Sequence, residues 1–302
     1  MDPSQVSAFQ EAVLRWYEQH GRDLPWRRTD DPYAVVVAEV MLQQTQVERV
    51  LPKYRAFLER FPDWRALAEA SRAEVIRQWA GLGYNGRAVR LHELARRIVE
   101  RHDGSLPQDE RALRRLPGLG PYTSAAVRAF LYGHRVAVID TNVRRLLGRA
   151  LLGVAHPQPA LDRELRPLAT ALVPEGRAGV WHHALMDIGA TVCLARRPAC
   201  GRCPVAPYCR ARPAWGSGAH AVQRPERAQG LYHGSRRYYR GRLVEALRAL
   251  PEGATVPLEE VGPKIREGFG PEDRPWLEGL AQHLVRDGLV RYDPDSGTVG
   301  LP

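Results

Sequence analysis

The sequence predicts an all-α domain followed by a small α+β domain of winged-helix type. Apolar residues recur every three or four positions through most of residues 5–192, which is typical of amphipathic helices. Residues 213–235 are rich in Ala, Gly, Pro, Ser, Gln and Arg and have little periodicity, as linkers do. Helical patterns resume near Arg236. We therefore predict domains at 1–212 and 236–302, joined by a linker at 213–235.

The first domain is predicted to contain about ten short helices. One carries Val35 and Val36 on its apolar face, and another carries Leu91 and Leu94. Proline or glycine separates successive helices, as in the Leu-Pro-Gly sequence at 116–118.

The second domain is predicted to hold three helices and a terminal hairpin. The helices begin near Arg236, near Leu258 and near Pro275. The turn sequence Asp-Pro-Asp-Ser-Gly at 293–297 then separates two short apolar segments. This order of elements indicates a winged helix.

The composition is that of a globular protein. At about 150 residues per domain, 302 residues predict two domains, and 44% hydrophobic against 26% charged residues exclude global disorder. No apolar run approaches the roughly 18 residues of a membrane span, and the first four residues lack the basic and apolar regions of a signal peptide. We therefore expect a cytoplasmic protein.

Positive charge is concentrated in two segments. The chain has 44 Lys and Arg against 34 Asp and Glu, a net charge of +10. Residues 86–149 hold 13 Arg and 6 acidic residues, and residues 193–242 hold 11 Arg and one Glu. A solubilising surface or a compositional bias would give the same total, but the clustering favours a phosphate-binding surface.

All four cysteines fall in one short segment, as Cys193, Cys200, Cys203 and Cys209. Two disulfides in such a loop are not expected in a cytosolic chain, whereas four thiolates suit either tetrahedral zinc or an iron–sulfur cube. Zinc is the default from ligand type alone. Either metal would stabilise a loop too poor in apolar residues to fold by itself, so a purely structural role is the simplest interpretation.

A Pro-Gly-x-Gly turn separates two predicted helices within residues 113–127. Gly118 and Gly120 permit positive φ and the close approach of another backbone. The N–H groups of the turn and the N-terminus of the next helix would hold a phosphate. Arg114 and Arg115 beside the turn favour binding of a DNA backbone over an ordinary corner between helices.

Glu39 is a carboxylate on an apolar helix face, which it shares with Val35, Val36 and Leu42. Loss of water disfavours the ionised form, so we expect a raised pKa and a general acid that works near neutrality. A structural glutamate bound to buried N–H groups or to arginine fits the same pattern.

Asp140 follows the apolar run at 136–139 and precedes a predicted helix, so its simplest role is an N-cap. Held by helix N–H groups, this carboxylate would stay ionised. Two carboxyls whose pKa values shift in opposite directions form a pair able to cleave a glycosidic bond.

Together these features resemble the helix-hairpin-helix DNA glycosylase superfamily, and within it the adenine DNA glycosylase (MutY-type) branch. The similarity covers about residues 10–212. It is carried by LPWR at 24–27, EVMLQQTQV at 39–47, GLGY at 81–84, LPGLGPYT at 116–123, DTNVRR at 140–145 and the four cysteines.

The resemblance implies a two-lobed all-α fold with a helix-hairpin-helix motif and a 4Fe-4S cluster rather than zinc. It implies a monomer, associated with the nucleoid, whose partner is double-stranded DNA with a mispaired or damaged base. Glu39 would protonate N7 of a flipped-out adenine and later activate water. Asp140 would stabilise the oxocarbenium-like sugar or trap it covalently. Tyr122 and Asn142 would assist these two groups.

Further residues of the site are also implied by the resemblance. The base pocket would include Trp26, Arg27 and His183. The DNA contacts would come from Gln43, Gln44, Tyr84, Leu116, Gly118, Gly120, Thr123 and Arg144. For Trp26 and Tyr84, core packing is the alternative.

The chain departs from the family pattern at several places. Tyr122 replaces the lysine with which bifunctional relatives such as endonuclease III form a Schiff base, so we expect base removal without efficient strand cleavage. His183 stands where many members have Gln or Glu, and its proton state would depend on pH. Asn85 replaces the second tyrosine of GLGYY. Residues 236–302 are too few for the Nudix-like domain with which typical members recognise 8-oxoguanine.

Three functions follow from these observations. The first is a monofunctional adenine DNA glycosylase of base excision repair that acts on adenine opposite 8-oxoguanine or guanine. The second is a mismatch thymine or uracil DNA glycosylase of the same superfamily, against which Glu39 argues because a pyrimidine leaving group needs no acid at N7. The third is a non-catalytic, redox-sensing DNA-binding regulator, which would not need Glu39 and Asp140 together.

Overall fold

Residues 1–213 and 232–302 are described by the structure, a computed structural model. Most of the predicted linker therefore lies outside the described residues. The chain divides into two units, each assembled from segments that are distant in sequence. Unit 1 holds residues 1–35, 108–114 and the described residues from 119 to 213. Unit 2 holds residues 36–107, 115–118 and 232–302.

Eleven α-helices precede residue 193, in agreement with the expectation of about ten. They are α1 (Pro3–His20), α2 (Pro32–Leu42), α3 (Val47–Arg60), α4 (Trp64–Glu69), α5 (Arg72–Gln78), α6 (Gly86–His102), α7 (Glu110–Arg114), α8 (Pro121–Phe130), α9 (Thr141–Leu152), α10 (Asp162–Ala171) and α11 (Ala178–Thr191). Within the described ranges, no helix is both long enough and apolar enough to cross a bilayer.

Helix α2 differs from the surface helices because it is buried on all sides. Residues 33–41 are all buried, and Glu39 is the one charged side chain among them. A helix that is apolar all round belongs in a protein core. The local sequence thus places a carboxylate inside the protein, as the pattern predicted.

The core of unit 1 is formed by α1, α8, α9, α10 and α11. Helices α9 and α11 approach each other closely at Gly189. A Cβ atom at that position would lie 2.7 Å from the Cβ of Asn142, so glycine is required there. The close approach fixes Asn142, one residue beyond the start of α9, against α11.

The C-terminal segment has the order of elements expected of a winged helix. It comprises α12 (Arg236–Arg248), β1 (Thr255–Pro257), α13 (Leu258–Ile265), α14 (Arg274–Arg286), β2 (Arg291–Asp293) and β3 (Thr298–Gly300). The strands form an antiparallel sheet in the order β1-β3-β2. The predicted helices and terminal hairpin are confirmed, whereas β1 was missed because three residues are too short to show alternation.

The core of this segment continues into helix α5 of unit 2. Ala73 and Ile76 of α5 are buried in the same apolar cluster as Leu243, Leu247 and the other core residues of the segment. The winged-helix-like segment and α5 therefore share one core.

Candidate functional site

Asp140 is the N-cap of α9, as the sequence predicted. Its Oδ1 accepts a hydrogen bond from the Val143 N–H at 2.6 Å, and its Oδ2 accepts one from Asn142 Nδ2 at 3.0 Å. Burial raises the pKa of Asp140 and outweighs these hydrogen bonds and the charge of Arg145, which lower it. The hydrogen bonds from Val143 and Asn142 favour the ionised form, as expected, but loss of water shifts the pKa of Asp140 in the opposite direction.

A chain of hydrogen bonds leads from Asp140 to the cysteine loop. Asn142 Oδ1 accepts from Arg145 Nη2 at 2.9 Å, and Arg145 Nε donates to the carbonyl of Cys193 at 2.6 Å. Arg145 also donates to the carbonyl of Gly189. The orientation of Asn142, and through it that of Asp140, is thus fixed by the loop that begins at Cys193.

All four cysteines line a single cavity of unit 1. None is in a disulfide, and burial together with the other three thiols raises the pKa of Cys203 to about 12. A thiol this hard to ionise needs nearby positive charge, which iron supplies when thiolates hold a cluster. The shared cavity fits a multi-iron cluster held by Cys193, Cys200, Cys203 and Cys209.

Arg149 is a buried arginine on the apolar face of α9, and its side chain is directed at the cysteine loop. It donates to the carbonyls of Leu194 and Ala195 at 2.8 and 2.9 Å, and Nη1 lies 3.4 Å from the Sγ of Cys193. A guanidinium in this position both positions the loop and offsets thiolate charge.

Arg27, a predicted base-pocket residue, belongs to a buried cluster centred on Asp187. Its two Nη atoms donate to the two carboxylate oxygens of Asp187 at 2.8 and 2.9 Å, and Arg22 adds a bond from Nε at 2.7 Å. Burial alone would raise the pKa of Asp187, but the two guanidinium groups outweigh it and the pKa is lowered. The neighbouring Trp26 is buried, with 6% of its surface exposed.

His183 is half-buried, and its ring centroid lies 4.5 Å from that of Phe130. Burial, with repulsion from Arg27, lowers the pKa of His183 to about 3. The adjacent His182 is buried and bonded to the carbonyl of Val136 at 2.8 Å, and burial lowers its pKa to about 4. The expected pH dependence of His183 is thus not supported, because the ring stays neutral across the physiological range.

The hairpin turn between α7 and α8 differs from its prediction at Gly120. Gly118 has φ of 79° and needs glycine, but Gly120 caps α8 in an extended conformation with φ of −73°. Leu116 and Thr123 have buried side chains, so contact of these residues with DNA is restricted to backbone atoms. Tyr122, in the first turn of α8, is half-buried against the core of unit 1.

Arg144, a predicted DNA contact, is paired within unit 1. Its Nε and Nη2 atoms donate to the two carboxylate oxygens of Asp162 at 2.5 and 2.7 Å. This bidentate pair neutralises the guanidinium charge. The sequence showed the arginine but not its partner, which is 18 residues away.

In unit 2, the buried Arg87 connects the segments that carry Gln43 and Tyr84. Its guanidinium donates to the carbonyls of Val40, Met41 and Gln43 at 2.7–2.9 Å and to those of Leu82 and Gly83 at 3.1 Å. It therefore joins the C-terminal end of α2 to the GLGY loop. Burial, with repulsion from Arg90, lowers the pKa of Arg87 to about 10.

Gln44 and Tyr84 both have positive φ, 57° and 46°, and both are exposed. The Tyr84 ring is 45% exposed, which argues against core packing. Non-glycine residues in this conformation are uncommon and occur often at functional sites. Asn85, beside Tyr84, accepts a hydrogen bond from Arg248 of α12 at 2.9 Å.

The sequence reasoning missed three charged residues of these networks, Arg87, Arg149 and Asp187. Each lies on the apolar face of an amphipathic or buried helix, at helical spacing from core residues. A charge at such a position is the signal that could have identified them, since buried charges need partners.

Two family models match the chain. Residues 37–168 match the HhH-GPD superfamily of base excision DNA repair proteins, and residues 193–209 match the iron–sulfur binding domain of endonuclease III. The second match covers all four cysteines.

Curated proteins of similar sequence are named adenine DNA glycosylase. That of Mycolicibacterium smegmatis is 41% identical over 94% of this chain and 92% of its own length. The human protein is 42% identical over 78% of this chain and 43% of its own length. Among solved structures, a thermostable thymine-DNA glycosylase superposes with a TM-score of 0.65 and 30% identity, over 70% of this chain and 97% of its own.

Proposed function

Because the chain belongs to the adenine DNA glycosylase family of helix-hairpin-helix base excision repair enzymes, we propose that it hydrolyses the N-glycosidic bond of adenine mispaired with 8-oxoguanine or guanine. It is a DNA glycosylase with an iron–sulfur cluster. The setting of Asp140 carries the proposal. Its carboxylate accepts hydrogen bonds from an N–H group and an amide, which orient it without neutralising it, and this supports a role in stabilising a developing sugar cation.

In the proposed reaction, Glu39 acts first as an acid. It delivers a proton to N7 of the extruded adenine, and the electron pair of the C1′–N9 bond leaves with the base. The same carboxylate then accepts a proton from the water whose oxygen bonds to C1′. The burial of Glu39 among apolar residues of α2 supports a proton donor at this position.

Asp140 acts on the sugar. Its negative charge stabilises the oxocarbenium-like C1′, either at a distance or through a covalent bond that water later breaks. Asn142 orients the carboxylate, and Tyr122 hydrogen-bonds within the site. Trp26, Arg27 and the neutral His183 line the base pocket. Gln43 and Tyr84 fill the space that the extruded base leaves, and Gln44, Gly118 and Gly120 contact the backbone.

Base removal without strand cleavage follows from Tyr122 at the position of the Schiff-base lysine. We further propose that the enzyme acts as a monomer on duplex DNA in the cytoplasm, at the nucleoid. The domain boundaries proposed for the chain remain 1–212 for the glycosylase domain, with the cluster loop at 193–209, and 236–302 for the C-terminal domain.

A second candidate is excision of mismatched thymine or uracil, favoured by the likeness to the thymine-DNA glycosylase structure. One experiment separates the two. The purified chain is incubated with duplexes that carry A, T or U opposite 8-oxoguanine, G or C, and the strands are resolved before and after alkali. We expect cleavage of the A strand only, opposite 8-oxoguanine or G, and only after alkali.

Breaks confined to T or U strands would overturn the adenine proposal. Breaks in the A strand before alkali treatment would overturn only the absence of strand cleavage.

A further inference from the structure

We propose that the C-terminal winged-helix-like segment forms part of the DNA-binding surface, in which Arg237 and Arg240 of α12 complete a groove for one DNA strand beside Tyr84. Arg237 also acts as a positioning residue for Tyr84. The inference rests on the proposed function in that DNA is the partner and Tyr84 lies near the lesion.

Several bonds attach the segment to the GLGY side of unit 2. Arg248 donates to the carbonyl of Ile76 at 3.0 Å and to Asn85 Oδ1 at 2.9 Å. Arg77 donates to the carbonyls of Leu250 and Pro251 at 3.1 and 3.3 Å. With the shared apolar core, these bonds hold α12 in a defined position next to the GLGY loop. Asn85, where a second tyrosine is usual, is one of the attachment points.

Arg237 contacts Tyr84 and Tyr232 at once. Its guanidinium carbon lies 5.6 Å from the ring centroid of Tyr84 and 5.0 Å from that of Tyr232, and Nη1 donates to the Tyr84 hydroxyl at 3.1 Å. The guanidinium of Arg87 lies 5.7 Å from the same Tyr84 ring. Two cation–π contacts and a hydrogen bond thus hold an exposed aromatic ring before any ligand arrives.

The groove that these residues line has a volume of about 510 Å³. Its described lining contains four arginines, Arg49, Arg90, Arg237 and Arg240, and no acidic residue. Arg49, Arg90 and Arg237 are exposed, and Arg240 is paired with Asp287. Gln44 lies at the same groove. Cations that alternate with aromatic rings are typical of surfaces that track a nucleic-acid strand.

The groove also continues toward the hairpin turn. A Cβ atom placed on Gly118 would lie 3.5 Å from the Cβ of Arg90, so this arginine connects the groove lining with the turn. The rest of the segment is acidic, since residues 243–302 have six basic and eleven acidic side chains. DNA contact by the segment is therefore assigned to Arg237 and Arg240 of α12, which line the groove. Exposed aromatic rings beside the cations favour a DNA strand over an acidic peptide, because bases stack on them.

The groove is tested by the salt dependence of binding to an undamaged duplex. Fluorescence anisotropy gives the slope of log K against log salt concentration for the wild-type chain, Arg237→Ala and Arg236→Ala. Arg236 is the matched control because it is exposed, adjacent on α12 and outside the groove lining. We expect Arg237→Ala to reduce the magnitude of the slope by the amount that corresponds to about one phosphate contact. Arg236→Ala should leave the slope unchanged.

The positioning role is tested with Arg237→Lys, which keeps the charge and loses the planar contact. A duplex with 2-aminopurine next to the mispair reports unstacking by its fluorescence. For Arg237→Lys we expect the salt slope of the wild type but a smaller rise in fluorescence on binding than the wild type gives. Arg236→Ala should give the same rise as the wild type.

If Arg237→Ala had the wild-type slope, or if Arg236→Ala and Arg237→Ala reduced the slope equally, the proposal that the groove binds a DNA strand would be overturned. A full fluorescence rise with Arg237→Lys would overturn the positioning role. Thermal unfolding midpoints within the wild-type range establish that the variants fold. Because the slope is measured on undamaged DNA, it does not depend on which base the enzyme excises. Failure of the adenine proposal would appear in the excision assay and not in the slope.

Discussion

Asp140, the N-cap of α9, and Asp187, on the packed helix α11, lie in the same unit, yet their pKa values shift in opposite directions. Asp187 is fully buried, but it is bonded to two guanidinium groups, which lower its pKa. Asp140 is also largely removed from water, but its hydrogen-bond partners are an N–H group and an amide, and burial raises its pKa.

The charge of the hydrogen-bond partners, rather than burial alone, therefore decides which of the two carboxylates is easily ionised. Asp187 is neutralised by Arg27 and Arg22 and holds segments of the fold together. The hydrogen-bond partners of Asp140 in the described part of the chain are neutral, which suits the proposed role of stabilising a positive sugar.

The largest effect is expected for Asp140→Asn. The amide keeps the N-cap acceptor but not the charge, so we expect base release in single-turnover assays to fall by at least about 10³-fold while DNA binding is retained. The thermal midpoint should be equal to that of the wild type or higher by a few degrees, because a buried charge is removed. A clearly lower midpoint would contradict the unfavourable setting of this carboxylate.

Asp187→Asn should have the opposite effect on stability. Removing the carboxylate leaves Arg27 buried without its anion, so the free energy of unfolding should fall by about 3–5 kcal/mol in urea titrations. Asp162→Asn is the matched control, since its pair with Arg144 is more exposed. We expect the control to lose about 1 kcal/mol or less. Equal losses would show that burial of the Asp187 pair is unimportant.

The pH dependence of unfolding should have opposite signs at the two sites. The pKa of Asp187 is lowered in the fold, so its stabilisation is present above the unfolded-state pKa and is lost as the pH falls through the folded value. The pKa of Asp140 is raised, so its ionisation destabilises the fold as the pH rises through the folded value. Urea titrations between acid and neutral pH should show the deficit of Asp187→Asn shrinking on acidification and the advantage of Asp140→Asn growing with pH.

A smaller effect on rate is expected for Asn142→Ala. A hydrogen bond to a charged group contributes about 1.5–3 kcal/mol, so the loss of the bond to Asp140 should slow base release by about 10- to 100-fold. The pKa of Asp140 should rise further, because Asn142 lowers it. The acid limb of the pH–rate profile should then move to higher pH. An unshifted limb would contradict orientation of Asp140 by Asn142.

The smallest effect is expected at His183. Its ring is neutral because burial lowers its pKa to about 3. The pH–rate profile should therefore show no limb from this residue between about pH 5 and 8, and His183→Gln should leave the shape of the profile unchanged. A limb in this range that disappears in His183→Gln would contradict a neutral histidine.

The sequence was sufficient for features that depend on local pattern. The helices, the turn at 293–297, the N-cap at Asp140 and the buried setting of Glu39 all follow from spacing over a few residues. It was insufficient where the outcome depends on a distant partner. The pairing of Arg144 with Asp162, the clamp of Arg27 on Asp187 and the burial of Thr123 require tertiary contacts that no short window contains.

Ala73 and Ile76 of α5 are covered by the C-terminal segment in the shared core. A truncated chain that stops before residue 236 would present this part of α5 to water, and exposed apolar surface of that kind promotes aggregation. Aggregation of such a truncated chain would therefore reflect a damaged fold and not the loss of DNA contacts. Point substitutions at the edge of α12 are the cleaner way to separate what the segment does for folding from what it does for DNA.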